Sequence, residues 1–340
     1  MDDRLEIKIK RSIEKFSLNL DRLNVVTEAA MGNYMVTPII AALAGANVLA
    51  LAKNTKYGSV SDIRKQTLAL ATNLGVQNKI RIVESYDDID LLDTDILTNT
   101  GFNRPINKSL IEQLSPKCVI PLMWEPWEYR PAELDRDMCA IRGIKIYGTD
   151  ESDPRLETIN YIGYVIIRLL LENNRSPKSS HVLMLGNKEF IDPVKIIMSD
   201  MGYKIGVITE YKKNHKGVNL SEYDTVVFLE NRRENLLLGK SGYIKNNQVK
   251  SNQLLIHISG NVDFSDAFAI KIPEAPRKFG YMSFTCDYVD SMAVIDLHTA
   301  SLCVAQGMIS ANNMGLKGEI YKQYMVDNYP ALAFEDKKFW

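Results

Sequence analysis

Residues 23–52 read LNVVTEAAMGNYMVTPIIAALAGANVLALA and contain one complete strand–loop–helix–strand unit. The run 23–27 is apolar and β-branched, residues 33–44 have helical character, and the run 46–52 is apolar again. Two apolar strands that flank one helix are typical of a βαβ unit, in which the strands are parallel and the helix covers one face of their sheet. This stretch therefore predicts an α/β fold.

The same alternation continues on the C-terminal side of this unit. A helix is expected from about residue 59, with Ser61 or Asp62 as its cap, and further helices at 107–114 and 133–141. Short apolar runs between them predict strands at 80–83, 95–98, 118–123 and 144–148. Continuous apolar strands that alternate with helices indicate a parallel sheet covered on both faces.

A second series of strands follows a long helical pattern at 155–173 and the polar stretch NNRSPKSS at 173–180. Its predicted strands lie at 181–185, 204–208, 224–229, 253–258 and 268–272, and two helical patterns, 291–308 and 319–329, close the chain. We predict two Rossmann-like or flavodoxin-like parallel-sheet domains with an interdomain cleft. The first comprises 1–175 plus 290–340, and the second, smaller domain is inserted at 180–289.

Composition narrows the class of protein. A chain of 340 residues with 46% hydrophobic and 24% charged residues is typical of a globular protein of two domains. A formal net charge of −1 favours neither nucleic acid nor an anionic membrane as partner. No run of transmembrane length is evident, and no metal site is indicated by the spacing of Cys118, Cys139, Cys286 and Cys303. We expect reduced cysteines, a cytoplasmic location, a small-molecule substrate and, as a possibility, a homodimer.

Ligands of open parallel sheets bind at the carboxyl ends of the strands. Five loops of the first domain, 28–38, 53–59, 99–105, 124–130 and 149–155, follow predicted strands and carry charged, aromatic or amide side chains. Glu28, Lys53 and Arg104 are candidate catalytic residues, because a carboxylate can act as a base and the cations can bind an anionic group. The candidate substrate-binding residues in these loops are Asn33, Tyr34, Asn54, Tyr57 and Asn99. The alternative is that loops after strands are polar in any case.

The stretch at the end of the predicted strand 118–123 reads PLMWEPWEYR, residues 121–130, and holds two of the three tryptophans of the chain. Trp124 and Trp127 could form a flat wall of a small-molecule site, with Glu128 and Arg130 orienting the substrate and Glu125 taking part in catalysis. A contact within or between domains would use tryptophan equally well. Both interpretations stay open on the sequence alone.

The second domain contains a degenerate dinucleotide signature. Gly186 and Asn187 follow the first strand of this domain, but Lys188 stands where the second glycine of Gly-x-Gly-x-x-Gly would be. Glu210 ends the next strand, where a ribose-binding carboxylate is expected. With Ser259, Gly260 and Asn261, these are the candidate cofactor-binding residues for NAD or NADP, with S-adenosylmethionine as the alternative.

Two histidines are candidate acid–base residues. His257 lies between Ile256 and Ile258 near a strand end, and His298 lies on the predicted helix 291–308. Each could equally be a hydrogen-bonded core histidine. His215, in a lysine-rich loop, is expected to be solvated.

The layout resembles that of the D-2-hydroxyacid dehydrogenases and the related S-adenosylhomocysteine hydrolases. The resemblance rests on the order of the domains and on the series Ala42-Leu43-Ala44-Gly45-Ala46, Lys53-Asn54 and Tyr57-Gly58-Ser59, which follows the hydrolases over roughly the first quarter of the chain. It implies NAD-dependent hydride transfer at a cleft between domains. In place of the dehydrogenases' Asn-x-x-Arg-Gly element the chain has His257-Ile258-Ser259-Gly260-Asn261.

Three functions are compatible with these features. The first is an NAD(P)-linked oxidoreductase that acts on a small polar metabolite in a biosynthetic pathway. The second is a transferase of the same fold with an adenosine-containing donor. The third is a non-enzymatic two-domain protein that binds a ligand.

Overall fold

The structure is a computed structural model that describes residues 4–87, 89–211 and 219–334, and of Trp127 the backbone alone. The helices are Leu5–Phe16 (α1), Val36–Leu43 (α2), Val60–Asn73 (α3), Lys108–Glu112 (α4), Arg136–Arg142 (α5), Thr158–Glu172 (α6), Lys188–Asp200 (α7), Met292–Asn313 (α8) and Gly318–Asn328 (α9). His215 lies outside the described residues.

The strands are Asn24–Glu28 (β1), Asn47–Leu51 (β2), Ile80–Val83 (β3), Ile96–Leu97 (β4), Val119–Pro121 (β5), Lys145–Thr149 (β6), His181–Gly186 (β7), Lys204–Ile208 (β8), Thr225–Leu229 (β9), Leu236–Leu238 (β10), Leu254–Ser259 (β11), Asn261–Val262 (β12), Ile270–Ile272 (β13) and Ala331–Leu332 (β14). The two series of parallel strands expected from the sequence are confirmed. The short strands β10, β12 and β14 were not predicted, because runs of two or three residues show no periodicity.

The first compact unit contains the described residues of 1–157 and 291–338. Its sheet has the order β14-β6-β5-β4-β1-β2-β3, in which β1 to β6 are parallel and β14 pairs antiparallel with β6. The parallel strands therefore follow the doubly wound order 3-2-1-4-5-6. In such a sheet the order reverses between the first and fourth strands, so a ligand site is expected where β1 and β4 end.

Local sequence explains where α3 begins. The cap is Ser59, not Ser61 or Asp62 as predicted: the Ser59 hydroxyl accepts a hydrogen bond from the Asp62 backbone N–H at 3.2 Å, and Asp62 Oδ2 accepts one from the Ser59 N–H at 3.1 Å. This reciprocal pair is a capping box. Asp62 is thus the third residue of the helix and serves the cap from inside.

The long helix α8 lies in the core of the first unit, where it packs on α1, α2, β5 and β6. Contrary to the expectation that no run of transmembrane length is present, α8 is long and apolar enough to cross a membrane, and 78% of its apolar window is buried. It is the one such helix of at least 18 residues among the described residues. A buried core helix meets the same criteria of length and composition.

The second compact unit contains the described residues of 158–290. Its sheet has the order β13-β11-β9-β7-β8 with all neighbours parallel, which is the flavodoxin-like order 2-1-3-4-5. A separate parallel pair is formed by β10 and β12. The strand order of this sheet reverses between β7 and β9.

The boundary of the second unit lies before α6, whereas the predicted boundary lay after this helix, near residue 175. The apolar face of α6, including Ile162, Ile166 and Leu170, belongs to the same buried cluster as β7 residues Val182 and Met184. The predicted and observed boundaries differ because a helix belongs to the unit whose sheet buries its apolar face. The predicted linker at 173–180 is consequently a connection inside the second unit.

Candidate functional site

The carboxyl ends of β1 and β4 hold the centre of the candidate site. Glu28, the last residue of β1, is 7% exposed and accepts a hydrogen bond at Oε2 from the Phe102 N–H at 2.8 Å. Burial raises the pKa of Glu28. Hydrogen bonds from the backbone of Phe102 and Gly101 and the charge of Arg104 act in the opposite direction but are outweighed. A buried carboxyl group therefore faces the loop after β4 at the point where the strand order reverses.

A buried hydroxyl and amide network holds this loop in place. Thr98 donates to the hydroxyl of Thr27 at 2.8 Å, and its own hydroxyl lies 3.0 Å from that of Thr100. Asn103 donates to the Thr98 carbonyl at 2.9 Å and accepts from the Tyr86 hydroxyl at 2.5 Å. Burial and the nearby Glu28 raise the pKa of Tyr86. The loop is thus fixed from β1, β4 and the segment after β3.

Arg104 links this loop to the next one along the sheet. Its Nη1 lies 2.5 Å from Glu133 Oε2, and its guanidinium carbon lies 4.7 Å from the centre of the Trp124 ring. Its Nε atom is buried and has no acceptor among the described residues. Arg130 lies 3.5 Å from the same Glu133, so one carboxylate pairs with two arginines.

The loop 124–130 is held against β6 by close backbone packing. Pro126 Cδ lies 2.4 Å from the place where a Cβ atom on Gly148 would be, so only glycine fits at this position of β6. The Thr149 N–H donates to the Trp124 carbonyl at 3.0 Å. These contacts fix Trp124 and Glu125 at the carboxyl end of β5, beside the loop that carries Arg104.

Two further carboxyl groups belong to this loop. Glu125 is 8% exposed, and the Glu128 N–H donates to its carbonyl at 3.1 Å. Burial above all, with a contribution from the charge of Glu125, raises the pKa of Glu128 to about 7, although Arg130 and Arg104 act to lower it. Glu128 is therefore partly protonated near neutral pH and can either give or take a proton.

The structure brings Glu28, Arg104 and Trp124 to one edge of the sheet, together with Glu125, Glu128 and Arg130. Lys53 reaches the same loop, where its Nζ donates to the Phe102 carbonyl at 3.2 Å. The side chain of Trp127 lies outside the described residues. That these residues act on a substrate stays a prediction.

Other predicted substrate residues make structural contacts. Asn99 Oδ1 accepts from the Met123 N–H at 2.8 Å, and Asn54 Oδ1 accepts from the Val60 N–H at 2.8 Å at the start of α3. Tyr57 is 70% exposed on a turn beside Lys56. Asn33 lies in the 3-10 helix 32–35, which precedes α2.

His298 lies inside the first unit. Its Nδ1 is 2.5 Å from the Thr37 hydroxyl, and its ring centre is 6.0 Å from that of Tyr34. Burial lowers the pKa of His298 to about 4, so the ring is neutral at neutral pH. These contacts are those of a hydrogen-bonded core histidine.

In the second unit, the turn after β7 lies where the strand order reverses. A Cβ atom on Gly186 would lie 1.8 Å from the Leu229 carbonyl oxygen, so the close approach of β7 and β9 requires glycine here. Asn187 caps α7 by accepting from the Glu189 N–H at 3.2 Å, and it donates to Asn231 at 3.1 Å. Asn187 thus stands at the start of α7, directly after the glycine that ends β7.

Charged residues surround this turn. Lys188 is exposed in the first turn of α7, and Glu189 forms an ion pair with Arg232. Glu210, after β8, forms an ion pair with Arg233 at 3.2 Å. The carboxylate expected at the end of the second strand is present, and it is paired with an arginine.

The remaining cofactor candidates lie at the end of β11. His257 is fully buried, with Nδ1 2.7 Å from the Ser283 hydroxyl and Nε2 3.0 Å from the Gly260 carbonyl, and burial lowers its pKa. The Ser259 carbonyl accepts from the Glu230 N–H, and Asn261 donates to the Glu234 carbonyl at 2.9 Å. These hydrogen bonds hold the end of β11 in place.

Sequence reasoning missed Glu133, Tyr86 and Asn103. Asn103 lies in the loop 99–105 after β4. Tyr86 lies in the loop after β3, which also follows a strand but was not among the five candidate loops. Glu133 belongs to no sequence motif, and only its ion pairs in the structure identify it as a residue of the site. Among the described residues no three His, Cys, Asp or Glu side chains are grouped as metal ligands would be.

Comparison with known proteins supports the fold. No protein-family profile matches the sequence, and no curated protein matches it. A dipicolinate synthase chain from Bacillus halodurans superposes with a TM-score of 0.53 at 10% identity, over 86% of this chain and 98% of that one. A D-lactate dehydrogenase, TP0037 from Treponema pallidum, gives a TM-score of 0.49 at 11% identity, over 88% and 99%. The NAD-complexed D-isomer specific 2-hydroxyacid dehydrogenase from Lactobacillus delbrueckii ssp. bulgaricus gives 0.46 at 10% identity, over 87% and 99%.

The first of these matches covers both units, so the two-domain architecture expected from the sequence is confirmed. The chain shares the two-domain α/β fold of the dipicolinate synthase chain.

Proposed function

We propose that this chain is an NAD(P)-linked oxidoreductase that acts on a small polar metabolite. The observation that carries the proposal is the gathering of Glu28, Arg104 and Trp124 where β1, β4 and β5 end. The two-domain fold is compatible with this class of chemistry, which is also what the resemblance to the D-2-hydroxyacid dehydrogenases implies. A biosynthetic role is consistent with the neighbour named as a synthase.

Each residue of the first unit has a chemical task in this proposal. Arg104 stacks on Trp124 and its side chain is 25% exposed, so its guanidinium group is suited to bind a planar anionic or carbonyl group of the substrate. Glu28 and Glu128 have raised pKa values and can hold or release the proton that a carbonyl–alcohol conversion requires. Glu133 orients Arg104 through their ion pair.

The second unit fits a dinucleotide with one change in how the phosphates are contacted. Gly186 provides the tight turn, and Glu210 stands where a ribose hydroxyl is bound. Lys188 and the buried Ile191 stand at the positions of the second and third glycines, so the backbone would not approach the pyrophosphate closely. The positive side chains of Lys188 and Arg232 would bind the pyrophosphate instead. When bound, a nicotinamide ring supplies hydride transfer.

The absence of the second and third glycines also favours a second candidate, a transferase with an adenosine-containing donor such as S-adenosylmethionine. This donor has ribose hydroxyls for Glu210 but no pyrophosphate, so it does not need the two missing glycines.

Mass spectrometry of the denatured, freshly purified protein distinguishes these functions. We expect a retained nicotinamide dinucleotide. Retained S-adenosylmethionine or S-adenosylhomocysteine would instead establish the transferase class. A protein without nucleotide, which is stabilised thermally by metabolites but by neither cofactor, would indicate a ligand-binding protein.

A further inference from the structure

An ion pair lies in the second unit at the place where a ribose is expected to bind. Glu210 follows β8 and Arg233 follows β9, the two strands that flank β7. Both oxygens of the Glu210 carboxylate accept hydrogen bonds from Arg233, Oε1 from Nη2 at 3.2 Å and Oε2 from Nη1 at 3.3 Å. The two side chains are still 63% and 44% exposed, so a ligand can reach either of them.

Arg233 is held by contacts that do not depend on Glu210. Its Nη1 also donates to the Thr209 carbonyl at 3.2 Å, and its guanidinium carbon lies 5.8 Å from the centre of the Tyr211 ring. The Tyr211 hydroxyl donates to Glu230 Oε2 at 3.0 Å, and Glu230 is 1% exposed. Burial and the charge of Glu230 raise the pKa of Tyr211, so its hydroxyl keeps the proton that it donates. Arg233 is therefore expected to stay in place when the Glu210 carboxylate is removed.

The two members of the pair have opposite preferences for the 2′ position of an adenosine ribose. A carboxylate accepts hydrogen bonds from the ribose hydroxyls and repels a 2′-phosphate, whereas an arginine binds the phosphate through charge-assisted hydrogen bonds. A carboxylate alone would therefore select NAD, and an arginine alone would select NADP. In this chain the two charges compensate each other, so neither form of the ribose is excluded by an unpaired charge.

We propose that the pair of Glu210 and Arg233 accepts both a 2′-hydroxyl and a 2′-phosphate, so that the chain binds NAD and NADP with similar affinity. A 2′-hydroxyl donates to Glu210 while the ion pair stays closed. A 2′-phosphate replaces the Glu210 carboxylate on the guanidinium group of Arg233, and the exposed carboxylate turns to solvent. This inference rests on the proposed function in one respect, the binding of an adenosine ribose at Glu210.

The test is a fluorescence titration of the full-length protein with NADH and NADPH, which gives the ratio of the two dissociation constants. For the native protein we expect the two constants to agree within about tenfold. Glu210→Gln should shift the ratio about tenfold or more toward NADPH, because it removes the charge that repels the phosphate. Arg233→Gln should shift the ratio about tenfold or more toward NADH, because it removes the hydrogen bonds to the phosphate.

Asp266→Asn is the matched control. Asp266 forms another exposed ion pair of the same unit, with Lys240 at 2.9 Å, between a segment that follows β10 and one that precedes β13. This variant should keep the native ratio within about twofold. A native preference above about a hundredfold, or an unchanged ratio in Glu210→Gln or Arg233→Gln, would overturn the inference and leave the oxidoreductase proposal standing.

Calorimetric titration with 5′-AMP and adenosine 2′,5′-bisphosphate separates the inference from the proposed function, because these nucleotides keep the ribose and lack the nicotinamide. Binding of both, with the same shifts in Glu210→Gln and Arg233→Gln but without binding of NADH or NADPH, would support the ribose site and refute the oxidoreductase. Absence of binding of all four nucleotides would refute both.

Discussion

At the scale of single residues, the edge of the first sheet holds carboxyl groups in two electrostatic states. Glu133 forms ion pairs with Arg104 and Arg130, whereas burial raises the pKa of Glu28 and of Glu128. A buried carboxyl group with a raised pKa is suited to general acid–base chemistry. The site thus combines fixed charge with groups that can exchange a proton.

Glu128→Gln should flatten the decline of stability with pH. The pKa of Glu128 is raised from 4.5 to about 7 in the folded protein, so the folded state binds the proton more tightly than the unfolded chain. The stabilisation is full below about pH 4.5 and is lost as the pH rises through about 7. Urea unfolding at about pH 5 and about pH 8 should show a decline about 2 kcal/mol larger in the native protein than in the variant.

The matched control is Glu112→Gln, an exposed carboxylate at the end of α4. It should keep the full decline of the native protein. If Glu128→Gln and the native protein lose the same stability over this range, Glu128 is already ionised and does not hold a proton near neutrality.

Sequence could predict Glu28, Arg104 and Trp124 as neighbours, because each follows a parallel strand and such positions share one edge. It could not predict Glu133, whose partners are 29 and 3 residues away and are brought near by the fold of the loops. It also could not show which groups contact His257 and His298. Their burial and their hydroxyl partners Ser283 and Thr37 depend on tertiary packing.

At the scale of elements, the turn between β7 and α7 is determined by contact between strands. Gly186 is required because the Leu229 carbonyl occupies the space of a Cβ atom, independently of any ligand. A glycine at this position therefore identifies a close β7–β9 approach, and the residues after it decide which ligand the turn accepts. The sequence showed the glycine but not this reason for it.

Gly186→Ala should destabilise the protein by about 3 kcal/mol or more, because the new methyl group would lie 1.8 Å from backbone oxygen. Gly202→Ala is the control in the same unit: its φ is +96° but the added Cβ would meet only Pro177, at 3.9 Å. Its cost should be about 1 kcal/mol. Equal unfolding free energies for both variants would show that β7 and β9 do not approach this closely.

At the scale of the whole molecule, the sequence was enough to predict two sheets of parallel strands, since apolar runs alternate with helices throughout. The boundary between the units was less predictable. A polar stretch at 173–180 suggested a linker, but the apolar face of α6 is buried with Val182 and Met184, so the helix belongs to the second unit. A helix belongs to the unit whose sheet buries its apolar face, and the composition of the chain does not show which sheet that is.

The most direct measurement of the central claim is a fluorescence titration of the protein with NADH and NADPH, comparing Lys188→Glu with Lys195→Glu. Lys188 and Lys195 are both exposed on α7, but only Lys188 lies in its first turn, beside the Gly186 turn. We predict saturable binding that Lys188→Glu weakens about tenfold or more and that Lys195→Glu leaves within about twofold. Absence of saturable binding of either dinucleotide to the native protein, or equal affinities of the two variants, would contradict the account.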